Sequence, residues 1–186
     1  GYDYYGQSSP PSGSFVQVTA GDNHSCGIYI SGSVQCWGYD YYGQSSPPSG
    51  TFVQVSAGES HSCGLDADGG IQCWGSDSYG QVSDAPSGEF VQVSSGWSHS
   101  CGIDISGNVQ CWGVDGVGQV SDAPSGTFVQ VSAAGGGHSC GIDISGSVQC
   151  WGYDGSGQVS DIPSAEIVQV SVGNDHTCGI DVGGDV

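Results

Sequence analysis

The stretch His24–Gly38, HSCGIYISGSVQCWG, carries the fold in miniature. Cys26 and Cys36 stand ten residues apart around a Gly-containing turn, with apolar residues on both arms. If the two cysteines face each other in an antiparallel hairpin, Ile28 faces Val34 and the loop is Ile30, Ser31 and Gly32. Such three-residue loops place their last residue in the left-handed region, which Gly enters without steric cost. The interval of ten returns in Cys63 and Cys73, Cys101 and Cys111, and Cys140 and Cys150. The same register puts Gly69, Gly107, Gly146 and Gly184 third in their own loops, so five turns agree with one pairing.

Outward from this hairpin the whole chain repeats. His24, His61, His99, His138 and His176 follow one another at spacings of 37, 38, 39 and 38, each ahead of Ser/Thr-Cys-Gly. A Phe/Ile-Val-Gln-Val segment precedes each histidine, and Val/Ile-Gln-Cys-Trp-Gly follows the first four. A period of this length belongs to solenoids, propellers or arrays. The units run 1–37, 38–74, 75–112, 113–151 and 152–186 as one array, the last cut short because Val186 aligns with Val34. Gly1 is the residue that elsewhere follows Cys-Trp, and the chain does not start with Met. The sequence therefore reads as a window onto a longer repetitive protein, and Cys178 lacks a partner because the window closes before its counterpart.

Composition limits the partners. At average usage a chain of this length would hold about 20 Lys and Arg; this one has none, against 19 Asp and Glu. An acidic chain without cations is unsuited to nucleic acid, whose phosphates are bound by Lys and Arg that displace counterions. Anionic membranes are disfavoured on the same ground, and no apolar run approaches a membrane-spanning length. Protein surfaces, divalent cations and neutral glycans stay open as partners, and no cofactor is expected.

Two chemistries compete for the cysteines. Each unit offers one His and two Cys, a set that zinc could use, but structural zinc sites draw on Cys pairs two to four residues apart. The interval of ten and the strand register favour disulfides Cys26–Cys36, Cys63–Cys73, Cys101–Cys111 and Cys140–Cys150. Disulfides of this kind imply an oxidising, extracellular setting, secreted or at the cell surface. Short β-branched and aromatic segments bounded by Gly, Ser, Pro and Asp, with 35 Gly and no helical period, point to an all-β chain. Each unit would form a small antiparallel sheet that buries its faces only by stacking on its neighbours.

The string GxxHSCG, followed by a Gly turn and VQCWGxDxxGQ, resembles the repeat of the regulator of chromosome condensation superfamily, whose members build β-propellers. Within it the chain is similar to the extracellular, disulfide-containing branch that includes type II β-lactamase inhibitory protein and Crinkly receptor ectodomains. The resemblance implies propeller blades, one per repeat, in a ring of seven. Five units leave open whether further repeats close the ring or the units stack as an open β-superhelix.

Residues that recur in every unit read as scaffold. The histidines are expected to bond backbone within their own blade, and Trp37, Trp74, Trp112 and Trp151 to pack between sheets. Asp3, Asp40, Asp77, Asp115 and Asp154 are expected to cap turns. The segment Asp66-Ala67-Asp68-Gly69 has calcium-loop character but no closing Glu at the needed spacing, so no metal site is assigned. A nucleophilic triad needs one oriented constellation rather than five copies, so no catalytic residue is assigned and the chain is read as no enzyme.

Departures from the repeat are the candidate binding residues. Trp97 stands where other units hold Asp22, Glu59, Gly136 and Asn174. Tyr4, Tyr5, Tyr41 and Tyr42 crowd the first two units beside Ser-Ser-Pro-Pro-Ser. Asn23-His24-Ser25 is an N-glycosylation sequon, making Asn23 the candidate glycan site. The reading of function is an extracellular structural or adhesive repeat protein, a self-assembling fibril subunit. The alternative is a secreted propeller that binds a protein partner through blade loops.

Overall fold

The computed structural model describes residues 1–162 and 164–186. It contains four three-stranded antiparallel sheets and one of two strands. Blade one is β1 (Phe15–Ala20), β2 (His24–Tyr29) and β3 (Val34–Gly38), and blade two β4 (Phe52–Ala57), β5 (His61–Asp66) and β6 (Ile71–Gly75). Blade three is β7 (Phe90–Ser95), β8 (His99–Asp104) and β9 (Val109–Gly113), and blade four β10 (Phe128–Ala133), β11 (His138–Asp143) and β12 (Val148–Gly152). Blade five holds β13 (Ile167–Val172) and β14 (Thr177–Asp181). Among the described residues no helix is long and apolar enough to cross a membrane.

The hairpin register is the one the cysteines specify. Cys26 lies opposite Cys36 and Ile28 opposite Val34, with the equivalent pairs in blades two to four. Gly32 sits at φ 85°, so a residue with a side chain would be strained at this loop position. All four expected cysteine pairs are disulfides, and Cys178 is an exposed free thiol.

Each first strand carries a bulge, which simple alternation does not reveal. Phe52 pairs with Asp66 and Gln54 with Leu65, leaving Val53 unpaired. The extra residue shifts the pleat, so Phe52 and Val55, three apart, both face inward while Val53 points to solvent. The same pattern repeats with Phe90 and Val93 and with Phe128 and Val131.

Stacking between blades makes the core. One cluster joins Cys26, Ile28 and Cys36 of blade one to Phe52, Val55 and Trp74 of blade two, and the next joins Cys63 and Leu65 to Phe90, Val93 and Trp112. Each tryptophan is also pinned at its polar edge: the Trp74 indole donates to the Gln44 carbonyl at 3.0 Å, Trp112 to Gln81 and Trp151 to Gln119. The turn aspartates cap as expected, over longer loops than an Asx turn. Asp77 Oδ1 accepts from the amides of Val82 and Ser83, and Asp115 from those of Val120 and Ser121.

Candidate recognition site at the mouth of the blades

The blades are tied together by side chains, and these ties position the site. Gln54 sends its amide across to the inner strand of blade three, donating to the Val93 carbonyl at 3.0 Å and accepting from the Val93 amide at 2.9 Å. Gln17, Gln92 and Gln130 do the same to Val55, Val131 and Val170. A primary amide presents the same donor and acceptor as a peptide group, so each glutamine acts as one rung of a ladder between strands that do not otherwise pair.

A second tie runs through the histidines, and here the expected partner is corrected. The rings bond the next blade rather than backbone of their own: His24 Nε2 lies 2.8 Å from Ser62 Oγ, His61 2.8 Å from Ser100, His99 2.9 Å from Ser139 and His138 3.1 Å from Thr177. Ser62 Oγ gives its own proton to the Gln44 carbonyl. It therefore accepts from His24, which fixes the Nε2–H tautomer and leaves Nδ1 as a bare lone pair. Nδ1 of all four rings is buried without a partner. Burial drives the His61 pKa down to about 3, helped by the neighbouring His99 and His24, and those of His24 and His99 to about 4. These Ser–His pairs have no access to substrate, because Ser62, Ser100, Ser139 and their histidines are fully buried.

The two residues before each histidine form the rim of one face. In blade three the turn is closed by the Gly96 amide bonding the His99 carbonyl at 2.8 Å, and Trp97 caps it with its ring 53% exposed. Blade four has one residue more here. Its turn closes from the Ala134 amide to the His138 carbonyl at 3.4 Å, and the added length is all glycine, Gly135-Gly136-Gly137. Only glycine fits at Gly136, since a Cβ there would overlap the Asn174 carbonyl of blade five.

A bulky ring in one blade and missing side chains in the next leave a cavity of about 620 Å³, walled by Trp97, Tyr79, Tyr153 and Val117, with Asp22 and Asp175 at its edge. The rim carries three carboxyl groups, Asp22, Glu59 and Asp175. Glu59 is held above the usual carboxylate range by burial and then by the Asp22 charge, against a hydrogen bond from Trp97. Trp97, a departure from the repeat, lines this cavity. Tyr79, Tyr153 and the glycine run line it too, and the sequence signal for the glycine run is the longer spacing of 39 into His138.

The other candidates lie elsewhere. Tyr2, Tyr4, Tyr5, Tyr39, Tyr41 and Tyr42 form a continuous aromatic run over blades one and two, bridged where Tyr5 meets Tyr39 at 4.6 Å between ring centroids. Tyr4 and Tyr41 are its most exposed members. Asn23 is half-buried at the root of β2, its carbonyl accepting from the Tyr39 amide at 2.8 Å. The carboxylate of Asp66 is occupied by the amides of Asp68 and Gly70, as a hairpin turn requires.

Three-stranded antiparallel blades, stacked on one another and stitched by side chains, are the repeats of a β-propeller fold. The chain belongs to the regulator of chromosome condensation (RCC1) repeat family, whose repeat matches residues 15–44, 52–81, 90–119 and 128–158. Among solved structures it is similar to the ectodomain of the Physcomitrella patens receptor kinase CR4, with 31% identity and a TM-score of 0.80 over 93% of this chain and 51% of that one. It is also similar to the Crinkly ectodomain of the Arabidopsis thaliana receptor kinase ACR4, at 27% identity and a TM-score of 0.73 over 91% of this chain and 60% of that one. Saccharomyces cerevisiae Prp20p, at 18% identity and a TM-score of 0.76 over 91% of this chain and 56% of that one, shares the fold. The chain spans between half and two thirds of the length of these relatives. No curated protein sequence matches it.

Proposed function

We propose that this chain is a non-catalytic recognition module of the extracellular space, which binds a protein partner through the loops that rim the blades. The observation that carries the reading is the placement of variation. Blades of nearly constant sequence differ sharply at one rim position, held in successive units by Asp22, Glu59, Trp97, Gly136 and Asn174. Four disulfides and the likeness to two receptor ectodomains support an extracellular setting. The test immobilises the chain and measures capture of proteins from the fluid and surface of its source cells. A variant with Asp22, Glu59, Trp97 and Asn174 changed to Ser should lose the captured partner. One with the exposed hairpin tips Ile30, Ile105 and Ile144 changed to Ser should keep it. Capture indifferent to the rim, or dependent on the tips, refutes the reading.

One observation favours a second reading, a structural or adhesive protein that assembles with itself into fibrils. The tyrosine run is an aromatic surface extending over two blades, larger than the scattered apolar side chains of an ordinary surface. Changing Tyr4, Tyr5, Tyr41 and Tyr42 to Ser should then shift the chain from assemblies to monomers in sedimentation velocity, and an unchanged distribution removes this reading. A glycan on Asn23 belongs with either role, and intact-mass analysis of native material decides it.

A further inference from the structure

Resting on the reading of the rim as a recognition surface, we propose that the cavity beside Trp97 receives a guanidinium or ammonium group, carried by an arginine or lysine side chain of the protein partner.

The walls are aromatic. Trp97, Tyr79 and Tyr153 are all substantially exposed rings, and they line one cavity together with Val117. Indole is the best π-face for a cation, and a planar guanidinium stacks on it while keeping its edge N–H groups free. The edge of the cavity supplies what those N–H groups seek. Asp22 and Asp175, both exposed, line it.

The geometry also selects against alternatives. An anionic group has nothing to meet, since the whole chain lacks Lys and Arg. A sugar would stack on the same rings and find donors in Ser98, Gln119 and Asn174, but it would leave the carboxyl groups of Asp22 and Asp175 without the positive partner that a guanidinium or ammonium supplies. The site is also made rather than incidental. It exists because blade three carries a large ring where its neighbours have none, and because blade four carries three glycines in place of side chains. Trp97 serves no part of the core.

The test follows the indole N–H resonances of the ¹⁵N-labelled chain, with that of Trp97 assigned by its absence in Trp97→Phe. The probe is a nine-residue Gly/Ser peptide with one central arginine. Its citrulline counterpart, which keeps the shape and loses the charge, is the neutral control, and a chito-oligosaccharide is the sugar arm. The arginine peptide should move the Trp97 signal saturably, with Kd rising at least tenfold in Asp22→Asn/Asp175→Asn and rising with salt. The pair Asp84→Asn/Asp122→Asn, exposed but outside the cavity wall, should leave Kd unchanged. Ala134→Gly with Gly136 deleted restores the Gly-x-x-His spacing of the other blades and should abolish the response without loss of fold. Equal response to citrulline, response to the sugar alone, or equal weakening by the outlying Asp pair overturns the assignment. If partner capture needs the rim while the arginine peptide leaves Trp97 unmoved, the recognition reading stands and the cation assignment falls; if neither depends on the rim, both fall.

Discussion

Acidification from pH 7 to pH 5 should destabilise this protein far more than its surface carboxylates alone would, because the histidine ladder is neutral when folded. The unfolded chain protonates its histidines near pH 6.5. The folded chain holds His24 and His99 at about 4 and His61 at about 3. Between those limits the unfolded state binds more protons, so stability is complete above about pH 6.5 and is lost as pH falls toward the folded values. Each fully depressed histidine contributes about 1.4 kcal/mol per pH unit over that window, so at pH 5 the loss is about 2 kcal/mol per ring and about 6 kcal/mol for three. His138 is lowered as well, chiefly by burial, though Asp175 and Asp154 lie close enough to oppose it. The cause is geometric: an added proton on Nδ1 would be a buried N–H with no acceptor.

The turn aspartates do not confuse the measurement. Asp77, Asp104, Asp115 and Asp154 are held below the ordinary carboxylate range by amide and side-chain donors, so their contribution is lost only near and below pH 4. Glu59, raised, works in the opposite sense and gains from acid just above its ordinary range. Urea unfolding followed by tryptophan fluorescence at pH 7, 6 and 5, at fixed ionic strength and with disulfides intact, gives the slope. His61→Gln keeps a donor toward Ser100 and removes one titrating ring, so its slope between pH 7 and pH 5 should be shallower by about 1 kcal/mol per pH unit. A flat profile between pH 7 and pH 5, or a slope that His61→Gln leaves unchanged, would falsify the buried neutral ladder.

Three further outcomes are expected. Ser100→Ala strands the His61 Nε2–H in a dry interface and should cost about 1–3 kcal/mol in urea, whereas Ser8→Ala, on an exposed loop, should cost almost nothing. Gln92→Leu removes both bonds to Val131 and should accelerate exchange of the Val131 amide at least a hundredfold, while the Gly102 amide within blade three stays protected. Replacing Cys63 and Cys73 by Ser opens a loop of sequence separation 10 and should lower stability by about 3 kcal/mol on chain-entropy grounds; a loss under 1 kcal/mol would place the stabilisation in the sheet instead.

What could be read from the chain and what could not divide along sequence distance. The hairpin Cys26–Cys36 is legible because its loop glycine, its facing cysteines and its Ile28–Val34 pair all lie within one short stretch and constrain one another. The partner of His24 is not legible, because Ser62 lies a full repeat away and every unit offers its own serine next to its histidine. Periodicity shows that His and Ser recur but not which copy meets which. The glutamine of Phe-Val-Gln-Val carries a clearer signal, a polar residue kept at the same place in five apolar strands, yet only stacking of the inner strands reveals its bonds to Val55, Val93, Val131 and Val170. The bulge defeats alternation because it adds one residue on one strand, so Phe52 and Val55 look like opposite faces in the sequence. Trp97 stands out as a substitution, but its cavity depends on glycines in the following blade, and an insertion of one residue does not announce the space it opens.

The division between ladder and rim explains how so repetitive a chain can hold a specific site. His99 is fully buried and bonded to Ser139 of the next blade, so the root of its loop is fixed from below. The Gly96 amide to the His99 carbonyl closes the loop, and the Trp97 amide to the Ala134 carbonyl, at 3.3 Å, fastens it to blade four through backbone alone. Nothing in that frame calls on the Trp97 side chain. In blade three the rim position is therefore free of the core, while two positions further along the histidine is held by the hydroxyl of the next blade. Blade four extends the argument: its loop closes one residue later and still delivers His138 to Thr177 at 3.1 Å. Repetition supplies the rigid mount, and specificity is confined to the residues the mount does not use.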